Sequence, residues 1–128
     1  MQVNIDLITE DPGSGEFVMY LVEDGPWPTS DSDWNLRLRS IQDRIFSAAD
    51  VAIDGLLAEK YPDSSGSPVR IQIDSPSGCP SKLEALVEAV RTFFREDPSY
   101  SAAINNSSHI AGIRVVTGKE MGRFQGQG

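Results

Sequence analysis

Apolar residues recur along this chain with two different periods, and each change of period marks a new element. Val3, Ile5 and Leu7 alternate with Asn4 and Asp6, which predicts a half-buried strand over 3–9. The run FVMYLV over 17–22 is apolar on both faces and predicts a strand covered on both sides. Between them, EDPGSG over 10–15 is a turn cluster with two glycines, so the two strands are expected to pair antiparallel. From 32 to 61 the period lengthens. Trp34, Leu38, Ile41, Ile45, Ala48, Ala52 and Leu56 step by three or four, and Phe46, Ala49, Ile53 and Leu57 widen the stripe into one long amphipathic helix. Ser30, Asp31, Ser32 and Asp33 offer N-caps, and Pro62 ends the helix. Gly55 costs a helix about 1 kcal/mol relative to alanine, so a kink or an early end is expected near Asp54.

The second half repeats the alternation. Val69, Ile71 and Ile73 alternate with Arg70, Gln72 and Asp74, a third and half-exposed strand. Leu83, Leu86, Val87, Val90, Phe93 and Phe94 form the apolar face of a second helix, opened by a Ser81/Glu84 capping box and stopped at Asp97-Pro98. Residues 99–109 are polar, with a short helical turn expected near 100–104, and 110–117 reads as a fourth strand. The order is therefore β-β-α-β-α-β. Two amphipathic helices need an apolar surface and the sheet supplies it, so the fold class is α+β: a two-layer sandwich with a mixed sheet of about four strands. One domain over 1–118 is expected, followed by a flexible glycine-rich tail over 119–128. If both helices cover one face, the other carries Val18, Tyr20 and Val22, with Ile8 and Val116, among polar residues. That mixed face is either wet or a homodimer interface, and a homodimer is the expectation.

Charge changes the picture more than composition does. Residues 1–36 hold Asp6, Glu10, Asp11, Glu16, Glu23, Asp24, Asp31 and Asp33 with no lysine or arginine, and these eight acids equal the net charge of −8. Such a surface repels a phosphate backbone or an anionic bilayer, which argues against nucleic acid and membrane partners. It suits a basic protein partner, beside the plainer role of keeping loops solvated. The chain has no apolar run near membrane-spanning length, no signal-peptide pattern at its start, and a single cysteine; together these favour a cytoplasmic setting.

Candidate chemistry is thin. The Gly13-Ser14-Gly15 turn joins two strands, opens no helix and lacks the Gly-Lys-Ser/Thr end of a phosphate loop. Glu23, Asp24, Asp31 and Asp33, with Asp6, could converge, but their spacing is not an EF-hand series and no histidine or cysteine joins them, so no metal or other cofactor is expected. Cys79 precedes a helix, where the dipole could activate it. His109 is the single histidine, and nothing in the sequence brings it to Cys79 or to a serine nucleophile.

Three segments carry a resemblance: VNIDLITED and FVMYLVEDGPW, then the helix LRLRSIQDRIFSAADVAIDGLLAEKYPD followed by VRIQID. Over residues 3–74 the chain resembles a group of small bacterial proteins classed as a domain of unknown function. In that group a hairpin leads to a Leu/Gln-rich helix that ends in Tyr-Pro and is followed by a strand. Gln42, Gly55, Tyr61 and Pro62 match at the expected spacing, while TSDSDW over 29–34 lacks the group's His-Leu pair. The resemblance implies a bacterial, soluble α+β protein and brings no catalytic residues.

The function expected is a non-enzymatic protein-interaction module, with an immunity or antitoxin-like protein as one version. Glu23, Asp24, Trp27, Asp31 and Asp33 are its candidate partner-binding residues, the acids to steer a basic partner and tryptophan to anchor it. The alternative is a small ligand-binding protein or enzyme with a pocket between the sheet and residues 99–109.

Overall fold

The computed structural model describes residues 5–121 of the 128. In chain order these form β1 (Leu7–Asp11), β2 (Glu16–Val22), α1 (Asp31–Ile53), α2 (Leu56–Lys60), β3 (Ser67–Asp74), α3 (Ser81–Glu96), α4 (Pro98–Asn106) and β4 (Ile110–Thr117), with a single 3-10 turn at Pro62–Ser64. The strands lie in the order β1-β2-β3-β4. β1 pairs antiparallel with β2, as the turn between them dictates, whereas β2–β3 and β3–β4 are parallel because each connection runs through helices. The fold is the α+β two-layer sandwich that the pattern predicts.

Both helical crossovers step the same way across the sheet, so a common right hand puts α1, α3 and α4 on one face. Met19, Leu21, Ile71, Ile73 and Val115 meet Ile41, Ile45, Ala48 and Ala52 of α1 and Leu83, Val87 and Val90 of α3 in one continuous core. The short alanines of α1 let it lie close to the sheet. An aromatic group closes the outer helical layer. Tyr100 stacks on Phe94 with 4.8 Å between centroids, and Phe46 meets both edge-on at 5.4 and 5.3 Å. No helix among the described residues is long and apolar enough to cross a membrane.

Several local expectations are corrected. The first strand is Leu7–Asp11 rather than 3–9; Val3 and Asn4 fall outside the described residues, as do 122–128 of the expected tail. Leu7 pairs with Tyr20 and Ile8 with Met19, so Ile8 packs on the helical core and Leu7 takes the other face, 57% exposed. The Asp6 carboxylate accepts the Val22 backbone N–H at 2.8 Å, a side-chain bond at the strand's margin that alternation does not reveal. The Ser81/Glu84 capping box does not form. Pro80 occupies the cap position and its carbonyl takes the Leu83 N–H at 3.0 Å, which puts Ser81 inside the first turn. The polar stretch after Phe94 contains a nine-residue helix, α4, longer than the turn expected. Asp97 caps it by accepting the Tyr100 N–H at 2.9 Å, and Pro98 sits where a missing N–H costs nothing.

The helix break at Gly55 falls where expected, with a cause the pattern does not reveal. Gly55 has φ +91°, which separates α1 from α2, and the His109 ring lies so close that a Cβ there would sit 2.7 Å from Nε2. Ser107 Oγ donates to the Ile53 carbonyl at 2.9 Å and fixes the same junction. The left-handed conformation alone costs a non-glycine residue about 1–2 kcal/mol. We predict that Gly55→Ala lowers stability by roughly 2 kcal/mol or more in chemical denaturation. Adding His109→Ala should return the steric part and leave the conformational part; strictly additive losses would show that the ring contact contributes nothing.

Candidate functional site

The acidic segment before α1 divides into an internal half and an exposed half. Glu23 is buried and bridges two arginines of α1: Arg37 Nε to Oε1 at 2.7 Å, and Arg44 Nη1 to Oε2 at 2.6 Å. Arg44 also reaches the Val22 carbonyl at 3.2 Å and Asp6 at 2.8 Å. These arginines stand seven positions apart, two turns along one side of the helix. Trp27 is equally committed. Trp34 stacks on its ring at 5.4 Å with a 6° interplanar angle, and the Arg37 guanidinium lies over it at 4.8 Å. Its indole N–H donates to the Gly78 carbonyl at 3.1 Å, while Ser77 Oγ donates to the Gly25 carbonyl at 2.6 Å. The loop before α1 is thereby tied to the loop after β3, over the C-terminal ends of the parallel strands. Strand order never reverses in this sheet, so those ends lack the switch-point crevice of doubly wound folds.

Asp24, Asp31 and Asp33 remain on the surface. Ser30 caps α1 by accepting the Asp33 N–H at 3.2 Å, and Asp31 and Asp33 lie in the first turn, where the helix dipole favours negative charge. Beside them Pro26, Trp27, Pro28 and Thr29 border an open depression, about 660 Å³ in volume, with Asp33, Leu36, Ser40 and Arg37, the last turned back onto Glu23 and the Trp27 ring. Leu36 is 70% exposed, the most exposed large apolar side chain of the described residues. Of the five candidate binding residues, Asp33 and the flank of Trp27 line it; Asp31, two positions before Asp33 on the first turn, and Asp24 lie outside its lining. Glu23 points inward. Leu36 stands on the side of α1 opposite the core stripe, and that position is itself the signal: a large apolar residue on the polar face of an amphipathic helix.

The sheet face turned from the helices carries a second cluster. Arg70, Gln72 and Asp74 succeed one another along β3 and are 4%, 0% and 5% exposed, against the expectation of a half-exposed strand. Each satisfies the next: Arg70 Nε donates to Gln72 Oε1 at 3.1 Å and Gln72 Nε2 to Asp74 Oδ1 at 2.9 Å. Glu16 sits between Arg70 at 2.7 Å and Arg114, whose two nitrogens reach it at 3.0 and 2.8 Å. Asp11 joins from the β1 end, 3.0 Å from Arg70. Arg114, then Arg70 and Ser14, hold the Glu16 carboxyl down at about 2 against the opposing effect of burial. Asp11 is lowered as well, first by Arg70 and then by the Gly13 N–H.

The groups considered for catalysis are separated. His109 lies over Gly55, and its backbone carbonyl accepts the Gly66 N–H at 2.9 Å. Cys79 lies near Thr117 at the other end of the strands, and burial pushes its thiol up rather than activating it. The Tyr100 hydroxyl donates to Asp50 at 2.8 Å and is held protonated by burial and by that carboxylate. A groove does lie beside 99–109, about 690 Å³ between β4 and the α3–α4 corner; Arg95, Ser101 and Asn105 line it and His109 does not. No group of three or more histidine, cysteine or acidic side chains among the described residues could hold a metal ion.

Glu16 sets a pH dependence. A carboxyl whose folded pKa is depressed stabilises the fold above its unfolded value, about 4.3, and that stabilisation is lost as pH falls through about 2. Glu16→Gln should therefore cost roughly 2–3 kcal/mol at pH 7. The gap from the parent should close between about pH 5 and 2 in denaturation experiments; a gap constant with pH would show that charge is not the cause. Comparison with protein-family models, with curated proteins and with solved structures returns no match to this chain.

Proposed function

We propose that this chain is a non-enzymatic protein-interaction module whose docking surface is the acid-rimmed depression at the N-terminal end of α1. One observation carries the reading: Leu36 stands 70% exposed in a depression bordered by the rigid Trp27 ring and rimmed by Asp33, with Asp31 on the same helical turn. An apolar centre inside a charged rim is the usual anatomy of a binding patch. The Trp27–Trp34 stack, the indole bond to Gly78 and the Arg37–Glu23 pair preform its wall, so little ordering entropy is lost on docking. The partner is a basic protein that places an apolar side chain on Leu36 and a lysine or arginine near Asp31 and Asp33. An intracellular immunity or antitoxin-like role is one version of this reading, supported by small size and acidic charge alone.

Capture with the tagged chain from lysate of its source organism, at low and high salt, tests the reading through two variants. Leu36→Asp lies on the exposed face of α1 and should leave the melting transition nearly unchanged, whereas Asp31→Lys/Asp33→Lys should lower stability by about 1–2 kcal/mol through the helix dipole and remain folded. A partner bound by the parent should be lost with Leu36→Asp. Charge reversal should slow its association roughly tenfold or more at low salt and little at high salt. A partner set identical for parent and variants contradicts the proposal.

A further inference from the structure

Among the described residues β4 is the last strand of the sheet, bonded to β3 along one edge only. Residues of a strand turn their N–H and C=O alternately to one edge and the other. The Gly118 N–H, following on from β4, donates to the Ile73 carbonyl of β3 at 2.8 Å, so even-numbered positions face inward here. Odd-numbered positions face outward: Arg91 Nε donates to the Val115 carbonyl at 2.7 Å, and the Thr117 N–H donates to Glu120 at 3.0 Å. This outer edge is blunted at both ends. Arg91 and Glu120, themselves ion-paired, occupy its C-terminal end. At the other end the register slips opposite Ser67/Pro68 and leaves Ala111 as an extra residue, a bulge of the kind that terminates pairing. Between the two stoppers the Ile113 N–H and C=O face outward, and no partner holds them from that side among the described residues. They open onto the groove walled by α3 and α4.

We propose that this window takes an extended acidic segment of another protein, which adds to β4 as a short outer strand. Charge selects the occupant. Arg91, Arg95 and Arg114 surround the groove and Glu120 is its one carboxylate, although the whole chain carries −8. Arg95 projects into solvent with only its neighbour Glu96, at 3.7 Å, as an ion-pair partner, and the Arg114 side chain is 48% exposed. A second copy docked β4 to β4 would set the same arginines against each other, a like-charge opposition across the new pair of strands. In an added strand one set of side chains would meet Phe94 and Ile104 on the helical side of the edge and the other would pass Arg114, so the segment alternates apolar and acidic residues. This surface shares no lining residue with the depression at α1 and stands or falls separately from it.

The test is selection of phage-displayed random dodecapeptides on the intact chain. Enriched peptides should alternate apolar and acidic residues. Ile113→Pro removes the outward N–H without touching the bonds to β3, and Asn105→Trp fills the groove from an exposed position on α4. Each should weaken binding at least roughly tenfold while circular dichroism stays unchanged. Arg95→Glu should shift the enriched residues from acidic toward basic. Peptides that bind both folded variants as well as the parent, no enrichment at all, or self-association of the chain abolished by Ile113→Pro would each overturn the proposal.

Discussion

The structure depends on how a strand buried on both faces satisfies three polar side chains. β3 lies between two parallel neighbours, with Ile71 and Ile73 against the helices and Arg70, Gln72 and Asp74 on the opposite face. A buried charge left alone would cost several kcal/mol. Here the arginine is answered by Glu16 and Asp11 from the hairpin, and Arg114 of β4 closes the other side of Glu16. One carboxylate thus links β2, β3 and β4, and the pairing fixes register, since a one-residue slip would carry Arg70 into the apolar core. What looks like a candidate acid–arginine site is a structural device of the sheet.

The same economy governs the region before α1. Two of its acids are tied to the long helix: the buried Glu23 holds Arg37 and Arg44, and Asp6, itself exposed, adds a second carboxylate to Arg44, which together anchor α1 to the end of β2. The remaining acids and Leu36 are left outward on a wall stiffened by two stacked tryptophans. Electrostatics therefore does two jobs in one segment, fixing the helix and presenting a surface, and the division falls between Glu23 and Asp24.

Periodicity made the architecture legible. The continuous apolar run at Phe17–Val22, the period-two run at Val69–Ile73 and the three-four stripe from Trp34 to Leu56 named the elements and the helical face, and glycine's cost in a helix placed the Gly55 break. What it could not supply were long-range side-chain partners. Nothing local tells that Glu16 will meet residues 54 and 98 positions away, so Arg70, Gln72 and Asp74 read as a wet face. Ile8 and Leu7 exchanged faces because a one-residue shift of a short edge strand reverses every side chain. The acid cluster was visible as composition, but which acids face solvent depended on where the helix placed its arginines. Strand order, and with it the existence of an outer edge at β4, is a property of the assembled sheet alone.

The most direct measurement is photo-crosslinking in source lysate with benzoylphenylalanine at position 36, set against position 59 on the exposed side of α2 as control. An interaction module that docks at the end of α1 gives one dominant adduct from position 36, with a protein of net positive charge, that fades as salt rises and is absent from position 59. Equal and salt-independent labelling from both positions, or no adduct from position 36, would contradict that account of what this surface does.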